Sequence, residues 1–225
     1  MMIMSKGTLI CFIGIDGSGK STISREVYNF FLAKGSKTKY VYGRVVPFFS
    51  GVLIWAGRLF ILKRKKEDLY LDYENYVSQK KMKLKSNYLL SRIYMYALLL
   101  DQVLQTITKI SIPLLFGKTV ICDRYVYDTV ITDIAIDFNL SNDEIIELIN
   151  KIFCIVPKPD IVFYIDVPEE VAYRRKNDVA HISYLAERRK CYKRIAERYS
   201  LITLNGAKSI NDIFEKIISY LGAYL

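Results

Sequence analysis

The residues best suited to chemistry lie in one glycine-rich segment near the start of the chain. Gly14–Ser21 reads GIDGSGKS and matches the pattern G-x-x-x-x-G-K-[ST] at every fixed position. An apolar run precedes it and an amphipathic helix pattern follows it, which is the context in which such a loop cradles phosphate. Glycines let backbone N–H groups converge on phosphate oxygens, and the N-terminus of the following helix adds a favourable dipole.

This loop predicts transfer of the γ-phosphoryl group of ATP. Lys20 is expected to bridge the β- and γ-phosphates, and the hydroxyl of Ser21 is expected to bind Mg²⁺. The predicted ATP-binding residues are Gly14, Asp16, Gly17, Ser18, Gly19, Lys20, Ser21 and Thr22.

An acidic and a basic residue follow the later apolar run Thr119–Cys122. Asp123 can hold Mg²⁺ or its water, or orient an acceptor phosphate, with helix capping as the alternative. Arg124 can grip an acceptor phosphate through two parallel hydrogen bonds, with a surface ion pair as the alternative. The sequence therefore predicts catalytic roles for Lys20, Asp123 and Arg124, and a magnesium site at Ser21 and Asp123.

Short apolar runs alternate with helical patterns along the chain. The predicted strands are Thr8–Ile15, Lys39–Arg44, Thr119–Cys122, Asp160–Val167 and Leu201–Leu204. The predicted helices are Ser21–Lys34, a helix to about Phe153 that a capping box at Ser141–Glu144 opens, and Ser209–Leu221. This alternation indicates an α/β fold with a parallel sheet covered by helices on both faces. Because ligands bind beyond the carboxyl ends of such strands, Gly14–Ser21, Arg44 and Asp123 are expected at one site.

Composition and charge narrow the class of protein. The 225 residues are 25% charged and 52% hydrophobic, as in an ordinary globular protein, and no boundary divides residues 1–225 into two domains. The net charge of +10 suits nucleotides, nucleic acid or an anionic membrane, but no nucleic-acid-binding module accompanies it, so no nucleic acid is expected as a partner. Four well-separated cysteines argue against a zinc or disulfide framework and predict a cytoplasmic location. No signal peptide is expected, since the first apolar run leads into the glycine loop.

Four blocks of the sequence occur in a recognisable order. They are Gly14–Thr22, Asp123–Tyr125, Pro159–Pro168, and Tyr184-Leu185 followed by Arg189 and Tyr192. Together they resemble the thymidylate kinase family of nucleoside monophosphate kinases. The resemblance implies a three-layer P-loop kinase fold, ATP and Mg²⁺ as cofactors, a nucleoside monophosphate as substrate and a homodimer, with dTMP to dTDP as the leading specific reaction.

The resemblance also implies roles for individual side chains. Asp16 approaches the acceptor sugar, while Arg44 and Arg124 hold the acceptor phosphate. Arg175 and Arg189 fall at the basic positions of a short lid at about 174–190, where a cation can neutralise charge on the transferring phosphoryl group. A solvated helix face is the alternative for both lid arginines.

The positions that recognise the base depart from the family's pattern. Leu98 stands where an aromatic residue normally stacks on thymine, and Gln102 stands where an arginine is usual. A second expected aromatic falls at Thr132. Gln102 is predicted to hydrogen-bond a base edge in place of the arginine.

An atypical apolar and basic insertion spans about residues 45–85. Val45–Leu62 is apolar apart from Arg58, and Lys63–Lys66 follows directly. The segment suits an acceptor-site lid or core, an oligomer contact, or a membrane surface. Two alternative functions therefore stay open at this point: a kinase for a lipid or alcohol acceptor, and a non-catalytic nucleotide-binding protein.

Overall fold

Five parallel strands form one sheet in the part of the chain that the structure describes. The computed structural model describes residues 7–51, 88–136, 138–176 and 181–222. The strands are β1 (Leu9–Ile13), β2 (Thr38–Tyr42), β3 (Thr119–Asp123), β4 (Ile161–Asp166) and β5 (Ile202–Asn205), in the spatial order β2-β3-β1-β4-β5. The predicted α/β fold is confirmed, and each predicted strand overlaps an observed one.

Strand β1 lies at the centre of the sheet and is fully buried. Cys11 pairs with Cys122 of β3 on one side and with Val162 of β4 on the other. Leu9, Cys11 and Ile13 join the apolar cluster on one face of the sheet, and the residues between them join the cluster on the opposite face. Burial on both faces explains why this strand reads as an unbroken apolar run rather than an alternating one.

Helices cover both faces. The helices are α1 (Lys20–Ala33), α2 (Tyr88–Thr106), α3 (Ile112–Leu115), α4 (Val126–Asp128), α5 (Asn142–Phe153), α6 (Glu169–Arg175), α7 (Ile182–Arg198) and α8 (Ile210–Leu221). A π-helical segment, Ile107–Ser111, joins α2 to α3, and a second, Thr129–Ala135, continues α4. Helices α1 and α8 pack on one face, while α5, α7 and the second π-helical segment pack on the other. The result is the three-layer arrangement that the sequence predicts.

The predicted capping box at Ser141–Glu144 is confirmed. The backbone N–H of Ser141 donates to Glu144 Oε2 (2.7 Å), and the backbone N–H of Glu144 donates to Ser141 Oγ (3.3 Å). Helix α5 therefore begins at Asn142 with two of its otherwise unpaired N–H groups satisfied.

Most of the predicted insertion lies outside the described residues. Within its described part, the backbone N–H groups of Phe48, Phe49 and Ser50 all donate to the carboxylate of Asp101, which belongs to α2. The start of this segment is thus fixed to α2 by one buried acidic side chain. The prediction of a single domain over residues 1–225 includes undescribed residues and stays a prediction.

One described helical stretch, Ser91–Leu115, has the length and apolar composition of a membrane-crossing helix. Core helices of soluble proteins meet the same criterion. Leu98, Asp101 and Gln102 of this stretch are buried against the rest of the chain. Composition alone therefore does not make it a membrane span.

Removing the cap of α5 is expected to destabilise the protein. Ser141→Ala deletes the acceptor for the N–H of Glu144 and is expected to lower the free energy of unfolding by about 1 kcal/mol. Urea denaturation followed by circular dichroism measures this. Ser219→Ala is the matched control, because Ser219 Oγ donates to a carbonyl within α8 and caps nothing. Equal losses in the two variants would contradict the capping role.

Candidate active site

The phosphate loop connects the end of β1 to the start of α1. Gly19 has a φ of 88°, a left-handed conformation that favours glycine, immediately before the first helical residue. Gly17 is required by space, because a Cβ at this position would collide with the carbonyl oxygen of Ala172 in α6. The N-terminus of α1 therefore faces open space above the sheet, with α6 passing close beside it.

Lys20 lies at the base of this loop and is almost fully buried. Its Nζ donates to the carbonyl oxygen of Ile15 (2.8 Å) and lies 4.0 Å from Asp16. Burial and the nearby charge of Arg124 lower the pKa of Lys20 to about 8, against the opposing charges of Asp128, Asp16 and Asp123. An incoming phosphate would add negative charge beside this ammonium group and would favour its protonated form.

Arg124, directly after β3, forms an ion pair with Asp16 of the phosphate loop. Its Nη1 also lies 3.6 Å from Asp128. Burial disfavours the charge of Arg124, but the two carboxylates outweigh it and raise its pKa. Burial alone would raise the pKa of Asp16, yet Arg124 and Lys20 hold that pKa well below its usual range. Nε and Nη1 of Arg124 have no hydrogen-bond partner among the described residues.

Asp123 at the end of β3 is buried and only half satisfied. Tyr40 donates its hydroxyl to Asp123 Oδ2 (3.0 Å). Asp123 Oδ1 is buried without a hydrogen-bond partner in the described part of the chain. A buried oxygen of this kind fits a hard cation or its bound water, because Mg²⁺ takes oxygen ligands. The described residues contain no group of three or more acidic, histidine or cysteine side chains that could hold a metal unaided, so substrate phosphates would have to complete the coordination.

A cleft of about 540 Å³ opens above the loop. Its walls carry several cations. Its lining comprises Asp16–Ile23, Arg124, Arg175, Lys176, Gly206, Lys208–Ile210 and Ile213. Arg175, at the end of α6, donates from Nη1 to the carbonyl oxygen of Gly206 (2.8 Å). The size and charge of this cleft suit a polyphosphate with an attached organic group.

The second predicted lid arginine is placed differently. Arg189 in α7 donates from Nε to Asp166 (2.7 Å) and from Nη1 to Glu169 (2.6 Å). Hydrogen bonding to Asp166 is the main cause that raises its pKa, against partial burial. Arg189 does not line the cleft, so in this arrangement Arg175 is the lid arginine that does.

Arg44 is also held by an acidic partner. It follows β2 and forms a two-pronged contact with Asp133, in which Nε donates to Oδ2 (2.9 Å) and Nη2 contacts Oδ1. Burial disfavours its charge, but the hydrogen bonds and charge of Asp133 outweigh this and raise the pKa. An acceptor phosphate would have to share or displace this carboxylate.

The three positions expected to recognise a base are occupied by internal contacts. The amide of Gln102 donates to Gly43 O (3.1 Å) and Thr106 Oγ1 (3.0 Å) and accepts from Thr129 Oγ1 (2.7 Å). Leu98 is buried in an apolar cluster, and Thr132 donates its hydroxyl to the carbonyl oxygen of Asp128 (2.6 Å). In this arrangement Gln102 bridges three parts of the chain, and its predicted contact with a base edge stays a prediction.

Sequence reasoning missed Asp128 and Tyr40, and it included Tyr192 only as part of a family block without giving it a role. Asp128 is fully buried and accepts a hydrogen bond from Tyr192 (2.7 Å). A local signal did exist for Asp128, because a carboxylate four residues after Arg124 can meet it on a helical turn. Tyr40 comes from a distant part of the chain and has no such signal, whereas Tyr192 belongs to the block that begins at Tyr184-Leu185.

Comparison with known proteins gives a consistent set of relatives. The sequence model of the family described as "Thymidylate kinase" matches residues 75–217. The "Thymidylate kinase" of Plasmodium falciparum is 27% identical over 222 residues, which cover 95% of this chain and 89% of the relative. The "Thymidylate kinase" of Fervidobacterium nodosum is 27% identical over 96% of this chain and 99% of the relative. The "Probable thymidylate kinase" of Sulfurisphaera tokodaii is 26% identical over 94% of each chain.

The lowered pKa of Lys20 predicts a pH dependence of anion binding. Lys20 loses its proton as the pH rises through about 8, so the free protein loses a cation from the loop. The affinity for inorganic tripolyphosphate, measured by calorimetry, is expected to fall roughly tenfold or more across this range, since a hydrogen bond to a charged group contributes about 1.5–3 kcal/mol. Lys20→Met is the control that corrects for titration of the anion itself. An identical pH dependence in both proteins would rule out Lys20 as the titrating group.

Proposed function

We propose that this chain, which belongs to the thymidylate kinase family and is a nucleoside monophosphate kinase, uses dTMP as its acceptor. In the proposed reaction it transfers the γ-phosphoryl group of ATP to dTMP. The products are dTDP and ADP. The observation that carries the proposal is the placement of Lys20 and Arg124 at one cleft, where Asp16 contacts both. One cation can hold the donor phosphates while the other holds the acceptor phosphate.

The proposed mechanism is in-line transfer between two bound phosphates. The backbone N–H groups of the phosphate loop and Lys20 hold the β- and γ-phosphates of ATP. Arg124 offers Nε and Nη1 to the acceptor phosphate and offsets its negative charge. Such catalysis depends on positioning and charge neutralisation, with no covalent intermediate on the protein.

Mg²⁺ is the proposed metal cofactor. Asp123, through its unpartnered Oδ1 or a water on it, and the hydroxyl of Ser21 are the residues that would hold it. When bound, the ion would neutralise charge that develops on the phosphates during transfer.

The other side chains take supporting roles in the proposal. Asp16 orients Arg124 and faces the acceptor sugar. Arg175 neutralises charge on the transferring phosphoryl group from the α6 side of the cleft, and Arg189 braces α7 against β4 through Asp166. Arg44 joins Arg124 at the acceptor phosphate only if its pair with Asp133 rearranges.

Family membership disfavours the two alternative functions that the sequence left open. Neither a lipid or alcohol acceptor nor a non-catalytic role accounts for relatives that match along nearly the whole chain. We also infer a cytoplasmic location, supported by four unpaired cysteines.

An ADP-release assay tests the proposal. Mg-ATP is supplied with a panel of ribo- and deoxynucleoside monophosphates, and the highest turnover is expected on dTMP. Lys20→Ala is expected to reduce kcat by roughly 10²–10³-fold, the effect of removing one preorganised cationic or hydrogen-bonding group from a transition state. Lys118→Ala, at an exposed lysine before β3, is the matched control and should retain full activity.

The outcomes of this assay separate the parts of the proposal. If turnover is highest on another monophosphate, that nucleotide and not dTMP is the acceptor, and phosphoryl transfer to a nucleoside monophosphate still holds. Turnover only on a lipid or alcohol acceptor, or on none, would overturn the proposed reaction.

We further propose that the protein is a homodimer that pairs through α2. Leu89, Ile93, Tyr96, Leu100, Leu104 and Ile107 recur every three or four residues and are all exposed. That spacing places them on one face of α2 and of the π-helical segment that continues it, which is an unusually apolar surface for a monomer. A second copy of the same helix offers a matching apolar face.

Sedimentation analysis tests the dimer. The double variant Leu100→Glu, Leu104→Glu is expected to sediment as a monomer, because two charges would be buried in the interface. Leu32→Glu places a charge at an exposed apolar residue of α1, which packs on the face of the sheet opposite to α2, and should leave the wild-type state unchanged. A wild-type monomer, or a double variant that remains dimeric, would contradict pairing through α2.

A further inference from the structure

Asp128 is the most deeply buried acidic side chain near the active site. It has no exposed surface, and its neighbours Val126, Tyr127 and Val130 are apolar or aromatic and equally buried. Burial raises the pKa of Asp128, while the charges of Arg124 and Lys20 and the hydrogen bond from Tyr192 oppose this. A buried carboxylate is costly unless its oxygens are paired, so its contacts indicate what it does.

The two oxygens of the Asp128 carboxylate contact different parts of the chain. Oδ2 accepts from the backbone N–H of Tyr125 (3.1 Å), which fixes the carboxylate to the turn after β3. Oδ1 accepts from the Tyr192 hydroxyl (2.7 Å) and lies 3.6 Å from Nη1 of Arg124. The same oxygen thus joins α7 to the guanidinium of Arg124.

Arg124 itself is held in an unusual conformation. Its φ of 68° is left-handed, which is uncommon for a residue with a side chain. Asp16 contacts Nη2 on one side of the guanidinium, and Asp128 lies 3.6 Å from Nη1 on the other side, which is too far for a hydrogen bond but close enough for its charge to attract the group. Nε and Nη1 still have hydrogen bonds to give, since no described residue accepts from them.

We propose that Asp128 is a positioning residue, which fixes the Arg124 guanidinium for the acceptor phosphate and is itself aligned by Tyr192. This rests on the proposed function, because it assigns Arg124 to the acceptor. Asp16 alone would leave the guanidinium free to rotate about a single contact.

The negative charge of Asp128 and its positioning of Arg124 are expected to affect two different quantities, the affinity for the acceptor and the rate of transfer. A negative charge beside Arg124 weakens the attraction for a phosphate, so deleting the charge should not weaken acceptor binding. Loss of orientation instead reduces the rate of transfer, because misplaced groups stabilise the transition state less well. The two effects therefore separate in KM and kcat.

Asp128→Asn is the test, with Tyr192→Phe and Tyr199→Phe beside it. The asparagine oxygen can still accept from Tyr125, whereas its amide group faces Arg124 and cannot hold it. The expected result is a kcat lower by roughly 10- to 100-fold with KM for the acceptor unchanged or lower. Tyr192→Phe should lower kcat less. Tyr199→Phe is the control. It removes a hydroxyl that donates to Asn150 and not to Asp128, so kcat and KM should both stay unchanged.

A correction for folding excludes a purely structural loss of activity. Activities are referred to the folded fraction measured by thermal unfolding, so unfolded protein does not count as a lower kcat.

The outcomes that overturn the positioning role are distinct from those that overturn the proposed function. An active wild type with an unchanged kcat in Asp128→Asn, or a raised KM at unchanged kcat, would refute positioning. If the wild type turns over no monophosphate, the proposed function fails. The positioning role is then tested by NMR on the Nε–H resonance of Arg124, which is assigned by its absence in Arg124→Lys. This proton should exchange slowly with solvent in the wild type and faster in Asp128→Asn. Equal protection in both would refute it.

Discussion

The ion pair between Arg124 and Asp16 is the interaction on which the site depends. It joins the loop after β1 to the residue after β3, and these two strands are neighbours at the centre of the sheet. Both partners are largely buried, so each would be an uncompensated charge without the other. Arg124 lowers the pKa of Asp16 and Asp16 raises that of Arg124, whereas burial is the main cause that lowers the pKa of Lys20. The cluster holds Arg124 and Lys20 at the wall of the same cleft.

The features that the sequence predicted well are those with local causes. The phosphate loop is defined by glycine, lysine and serine within eight positions, and the capping box at Ser141 needs only the residue three positions later. The central strands were predictable because burial on both faces leaves an unbroken apolar run. Their ends differ by one or two residues, since pairing with a neighbour, rather than composition, decides where a strand stops.

Other features depended on partners far away in the chain, which no local pattern could reveal. Arg44 meets Asp133, and Gln102 meets Thr129 and Gly43. Gln102 therefore links α2 by hydrogen bonds to the residue after β2 and to the second π-helical segment. Leu98 likewise packs with Val45 and Ile134. The positions of the family's base-recognition pattern therefore make contacts within the chain that only the fold reveals, and the role predicted for Gln102 stays a prediction.

The central position of β1 has a consequence for how the chain is made. β1 leaves the ribosome first among the strands, but both of its neighbours come much later, β3 at Thr119–Asp123 and β4 at Ile161–Asp166. At about 5–20 residues per second, synthesis takes on the order of 10 s or longer to deliver both. During that interval five apolar residues that end up fully buried have no sheet to enter. Until then the apolar side chains of β1 have to be kept from water or from aggregation by contacts outside the sheet. Both strands that pair with β1 are available only after most of the chain has been synthesised.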